Sequence, residues 1–225
     1  MKFITISKLL MVVILPFLLF IAAFNFYGFD AEFYKEKFSE YEVQNDVPNA
    51  VSLNEKIINF ITGKNNDVPN EFNDREKQHL RDVRKVVGIS TIVLYVFIIL
   101  FVALLIVSAL ILKMNNHIIN FVGKVLVFGG FLTIILAGLL FFFISSDFSA
   151  AFESFHTLLF KKETYVFDPA KEMIVRLYPE RIFMDLGIGI SKGVIISSTA
   201  IILLGLFLLF KSKSKKNKKR KIFIL

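Results

Sequence analysis

Two histidines carry the chemistry on offer in this chain. His79, in "EKQHLRDV", has a carboxylate three residues on, at Asp82. His156, in "FESFHTLLF", has one three residues back, at Glu153. Positions three apart share a helix face, so each carboxylate can orient its imidazole and raise its basicity. An imidazole with an ordinary pKa near 6.5 both takes and gives protons near neutral pH. The same spacing allows a second arrangement, two His and two carboxylates around a zinc-like ion. A third reading is bland: each ring is an interfacial side chain with a satisfied hydrogen bond.

Other chemistries find no residues. The chain has no cysteine, hence no thiolate nucleophile and no sulfur ligand. Ser154 is two residues from His156, so the two point apart on a helix, and no GxSxG elbow is present. HExxH, P-loop and GxGxxG patterns are absent as well. His117, in "KMNNHIIN", is expected in a short turn on the other side of the membrane from His79 and His156.

The elements that must position the two histidines follow from hydropathy. The 225 residues are 55% hydrophobic, with 27 phenylalanines and a mean hydropathy of +0.64. A membrane span needs about 20 mostly apolar residues. Residues 9–29, 86–112, 125–144 and 186–210 each meet that, and the first reads as an uncleaved span rather than a signal peptide, because bulky aromatics follow Ala22 and Ala23. Segments 1–8, 113–124 and 211–225 are basic without a single acid. All 19 acids lie in the loops 30–85 and 145–185. The positive-inside rule then puts both termini in the cytoplasm and both loops outside. The tail "KSKSKKNKKRK" is expected to retain the C-terminus in the cytoplasm and touch anionic lipid, not nucleic acid.

Within the outer loops, "SLNEKIINFITG" shows helical apolar spacing with Gly63 as a stop. "NEFNDREKQHLRDVRKVVG" runs as a helix into the second span, capped by Asn73 or Asp74. Phe148, Phe152, Phe155 and Leu159 form one helical stripe suited to the lipid interface. Asp168-Pro169 is expected to open a helix that ends at Tyr178, before Pro179. Gly189 and Gly193 form a GxxxG pattern that permits close helix approach. The expected fold is an all-α membrane protein: one domain, a four-transmembrane-helix bundle with a cap of short helices from two loops. The histidines then sit at the outer headgroup level.

"QHLRDVRKVV" and "FHTLLF…YVFDPAKEMIVRLYPERIFMD" resemble the bacterial four-span family that includes the lipoprotein intramolecular transacylases. Tyr165 stands where the family pattern has tryptophan, and Glu172 where it has aspartate. The resemblance implies an acyltransferase of the cell membrane without cofactor or metal. It moves the sn-2 acyl chain of a diacylglyceryl-modified lipoprotein cysteine to the cysteine's own α-amino group, giving a lyso-form lipoprotein. It also implies that His79 and His156 are the catalytic acid–base pair; imidazole chemistry lets a neutral ring deprotonate the attacking amine and a protonated one supply the departing alkoxide. Arg84, Arg176, Tyr165 and Tyr178 are then candidates to stabilise the oxyanion. Asp82, Glu153 and Asp168 are candidates to orient an imidazole or hold the amine. The rival readings are a metal-dependent membrane hydrolase and a non-enzymatic assembly protein.

Overall fold

The computed structural model describes residues 2–113, 116–161 and 164–222, with side chains up to Ser214. The basic tail beyond that point lies outside the described side chains. Helices are α1 (Lys2–Tyr27), α2 (Ala31–Glu40), α3 (Val43–Asp46), α4 (Ala50–Ile61), α5 (Asp74–Ile111), α6 (Asn116–Ser146), α7 (Phe148–Leu159), α8 (Ile174–Leu177) and α9 (Glu180–Ile222). No strand occurs among the described residues. Four of the helices, α1, α5, α6 and α9, are long and apolar enough to cross a membrane. Their apolar side chains mostly face outward; only 6% of the most apolar stretch of α5 is buried. Ile99, Ile106 and Leu110 on α5 and Phe142 on α6 are more than half exposed. Such a surface is stable against hydrocarbon and not against water.

The chain forms two compact units. The first comprises residues 1–23, 93–140 and 191–225, the parts of the four long helices that carry no outer-loop sequence. Met11, Ile118, Phe121 and Val125 form its packed centre. Ser7 and Ser108 hydrogen-bond through their hydroxyls at 2.9 Å, so α1 and α5 bury two polar groups by satisfying each with the other. The close approach expected at Gly189 is found elsewhere. A Cβ on Gly205 would sit 2.9 Å from the Gly123 carbonyl oxygen, so α6 and α9 touch backbone to backbone there. A Cβ on Gly189 would meet nothing within 4 Å. A small residue permits contact only where it faces a neighbour, and the pattern alone does not say where that is.

The second unit comprises residues 24–92 and 141–190. Its core is a soluble-type core: Phe38, Leu53, Leu177 and Ile182 are all fully buried. Asp30 caps α2, accepting from the Glu32 N–H. Two tyrosine hydroxyls are satisfied inside the core, Tyr34 by the Gly28 carbonyl and Tyr178 by Asn54. Lys37 on α2 and Tyr41, the residue that caps its C-terminus, both reach the Asp185 carboxylate of α9 at 2.8 Å. The helix expected to open at Asp168-Pro169 does not form. Asp168 accepts instead from the Ala170 N–H at 3.0 Å, and Lys171 and Glu172 close turns back on its carbonyl. Helix is confined to Ile174–Leu177, because Glu172 is drawn away by partners on α5.

Candidate active site

The site is assembled around the start of α5. Asn73 and Glu76 form a reciprocal cap: Glu76 N–H donates to the Asn73 side chain at 3.0 Å, and Asn73 N–H donates to Glu76 Oε2 at 2.8 Å. The other Glu76 oxygen accepts from Ile174 N–H at 2.8 Å. One residue earlier, Arg75 donates to Glu172 Oε1 and to the Val166 carbonyl, both at 2.7 Å. Glu172 Oε2 accepts from Asp168 N–H at 2.6 Å. Glu76 and Glu172 are both buried, so these charge-assisted bonds hold residues 166–174 tightly against the first turn of α5. His79 follows one turn on.

That clamp sets Phe167 edge-on to His79, ring centres 5.4 Å apart, with the Phe160 ring at 5.1 Å. α7 begins at Phe148, capped by Asp147, and delivers His156 from the other side. The His79 and His156 rings lie nearly parallel, 6.3 Å apart and inclined by 21°. His156 packs on Phe152 at 4.1 Å and on Tyr165 at 5.1 Å. Its Nδ1 lies 2.8 Å from the Phe152 carbonyl oxygen. A carbonyl only accepts, so in the neutral ring Nδ1 carries the proton and Nε2 keeps the lone pair.

Burial governs both imidazoles. His79 is 8% exposed, and desolvation, then the neighbouring His156, push its pKa down to about 4. Asp82 and a hydrogen bond with the Thr164 backbone pull the other way and lose. Desolvation also lowers His156, against the Phe152 hydrogen bond and the charge of Glu180. Both rings are therefore neutral at pH 7. This departs from the pairing of one neutral and one protonated imidazole, which assumes water-like pKa values. Two polar atoms here are sealed from solvent and make no hydrogen bond among the described residues: His79 Nδ1 and the Tyr165 hydroxyl. Leaving such a group unpaired costs about 1–3 kcal/mol.

The other candidates are placed less centrally. Asp82 hydrogen-bonds Gln78 and pairs with Lys85 at 3.0 Å, acting on His79 only through its charge. Glu153 is exposed, and the carboxylate whose charge acts on His156 is Glu180, held by Ser149 at 3.2 Å. The i−3 rule fails there because His156 turns back along α7 toward Phe152. Arg84 donates to Asn65 and Asn66 and stacks on Phe60. Arg176 is exposed on α8, Asp168 is engaged in its turn, and the Tyr178 hydroxyl is spent on Asn54. Ser154 gives its hydroxyl to the Ala150 carbonyl. The metal reading needs Glu153 and Asp82 beside the rings, and no three metal-ligating side chains gather among the described residues. His117 lies in the first turn of α6, in the first unit.

The sequence does not single out Arg75, Glu76, Phe160 or Phe167, and its spacing assigns Phe152 to a lipid-facing stripe, whereas the Phe152 ring packs on His156. The Asn73-x-x-Glu76 cap signature was there to be read. The Arg75–Glu172 pair, 97 residues apart, left no local signal.

Comparison with known proteins gives the fold and the family. No curated protein matches the chain. The solved membrane-integral lipoprotein intramolecular transacylase Lit from Bacillus cereus superposes with a TM-score of 0.81 at 22% identity, over 94% of this chain and 98% of that one. Two variants of the same protein, a histidine replaced by arginine in one and by alanine in the other, each superpose with a TM-score of 0.77. They cover 94% of this chain, at 21% and 22% identity, and 94% and 96% of their own. At that identity the likeness concerns fold: an integral membrane protein with four apolar helices. The family model of the lipoprotein intramolecular transacylases matches residues 4–183, most of the chain. With that span covered, the chain belongs to the lipoprotein intramolecular transacylase family.

Proposed function

We propose that this acyltransferase moves the sn-2 acyl chain of a diacylglyceryl-modified lipoprotein cysteine to that cysteine's α-amino group. The observation that carries the residue assignment is the pair of near-parallel imidazoles 6.3 Å apart, walled by aromatics and flanked by two unpartnered buried polar atoms. The amine, having shed its first proton to solvent, attacks the ester carbonyl carbon while His156 Nε2 takes a second proton from it. The tetrahedral intermediate then expels the glyceryl oxygen, and His156 returns the same proton to it. An amide and a free sn-2 hydroxyl result, and the enzyme ends as it began. Amide resonance makes the exchange downhill, and donor and acceptor share one molecule, which lowers the entropic cost of meeting.

His79 stays neutral through the cycle and hydrogen-bonds the reacting atoms through Nδ1, as a buried neutral imidazole can. The Tyr165 hydroxyl donates to the oxyanion. Asp82 and Glu180 act at a distance, each favouring positive charge on its own histidine. The exposed Phe155 and Leu158 of α7 offer acyl chains an apolar approach. In the membrane, the reading places both termini in the cytoplasm and the histidines at the outer glycerol level, supported by the basic and acidic partition of the segments. The basic tail then lies against anionic lipid of the inner leaflet. Mass spectrometry of lipoprotein N-terminal peptides tests the assignment. His79→Ala and His156→Ala, both still inserted, lose the N-acylated lyso-form; full modification by either variant defeats the two-histidine mechanism.

A further inference from the structure

α5 works on two faces. At 100° per residue, His79 defines one side, and Arg81, Arg84 and Lys85 fall within about 100° of one another on the opposite side. There they line, with Phe60 and Asn66, an open cleft of about 490 Å³. Arg84 is built into it. Its guanidinium donates to the Asn65 carbonyl at 3.1 Å and to the Asn66 side chain at 2.7 Å, and it lies over the Phe60 ring, 4.9 Å from the ring centre. Those contacts orient the guanidinium and leave it donors to spare, since it carries five N–H groups. Neither Arg84 nor Arg81 has a carboxylate partner among the described ion pairs; the nearby Asp82 is taken by Lys85. Two arginines one turn apart, one of them held rigid against an aromatic ring, share a cleft with no counter-charge bonded to either.

We propose that this cleft binds the phosphodiester of an anionic glycerophospholipid. Its depth in the sequence favours a lipid over other anions: Lys85 is the last charged residue before the apolar run beginning at Val86, so the cleft lies where a span meets the headgroups. Arginine suits the phosphate, giving paired N–H groups to two oxygens. The Phe60 ring beneath offers the glycerol backbone an apolar floor. The bound lipid ties the second unit to the headgroup layer through the helix that carries His79, and takes no part in the acyl transfer.

The test uses the full chain in detergent, with native mass spectrometry counting retained lipid. Phosphatidylglycerol is added, then phosphatidylcholine, then phosphatidylglycerol with millimolar inorganic phosphate. Wild-type protein retains one tightly held phosphatidylglycerol that phosphatidylcholine does not replace and phosphate does not displace. Arg81→Gln weakens it about fivefold, and the pair Arg81→Gln/Arg84→Gln about thirtyfold; the tail, unchanged in all three, cancels from the comparison. Arg81→Gln leaves the Arg84 contacts intact, so it reads the site even if the double variant folds poorly. Equal retention by wild type and Arg81→Gln overturns the site. Displacement by phosphate overturns the lipid. Intact lipid retention with a raised KM for an acidic lipoprotein peptide gives the cleft to substrate and overturns the proposal.

Discussion

His79 makes the interior of the site sensitive to acid in a way that can be measured. Its pKa falls from 6.5 to about 4 on folding, with burial as the main cause. The unfolded chain therefore binds the proton more tightly, and stability rises with pH across that window. Above pH 6.5 both states are neutral at this position and nothing is lost. As pH drops from 6.5 to 4, the folded state forgoes a proton the unfolded chain accepts. At about 1.4 kcal/mol per pH unit, the loss totals about 3 kcal/mol. For a chain of this size that is a fall in Tm of roughly 6–12 °C. The perturbation is His79→Gln, which keeps a polar group and removes the titration. Thermal unfolding in detergent, followed from pH 7.5 to pH 4, should show the wild type losing that margin and the variant keeping most of it. His156 shifts in the same direction, and its contribution remains in both proteins. Parallel Tm curves would refute the claim that burial controls this imidazole. The same shift bears on catalysis: at pH 7 His79 is neutral. Rate should then rise with pH as His156 and then the substrate's α-amino group lose their protons, and level off only above the ordinary α-amino pKa of about 8. A bell with a falling limb between pH 6 and 7.5 would restore a preformed imidazolium acid.

Two further changes probe the surroundings. Tyr165→Phe removes the buried hydroxyl while keeping the ring against His156, and should lower kcat by about 10²-fold with KM little changed; unchanged kcat would remove the hydroxyl from the oxyanion site. Glu76→Ala strips the acceptor from the Asn73 and Ile174 N–H groups, and should cost about 3–5 kcal/mol, read as a lower Tm together with faster proteolysis between residues 166 and 174. A stable variant would show that the segment is held by Arg75 alone.

Local physics was readable in the chain and long-range pairing was not. Apolar runs, the cap at Asn73 and the aromatic stripe from Phe148 each announce an element within a few residues, because helix propensity and capping are local. The meeting of His79 and His156 is a different kind of fact. It was inferred through family likeness, and nothing in the spacing of either segment points to the other. Glu153 looked like the partner of His156 on helical spacing, yet ring orientation decided for Glu180, 24 residues on. Residues 168–178 looked helical on composition, but Arg75 claims Glu172 from a distant part of the chain and the turn wins. Neutral imidazoles were also beyond reach, since a pKa depends on burial and burial on tertiary contact.

One stretch of chain, from Phe152 to Phe167, supplies an imidazole and most of the aromatic lining of both rings before it is fastened to α5 through Val166 and Glu172. Connecting segments ordinarily absorb added or deleted residues with little harm. Here the segment carries chemistry: α7 holds the His156 ring 6.3 Å from the His79 ring. A single residue spliced into α7 ahead of His156 would swing that imidazole about 100° around the helix and off its neighbour, so this connection has no slack to give.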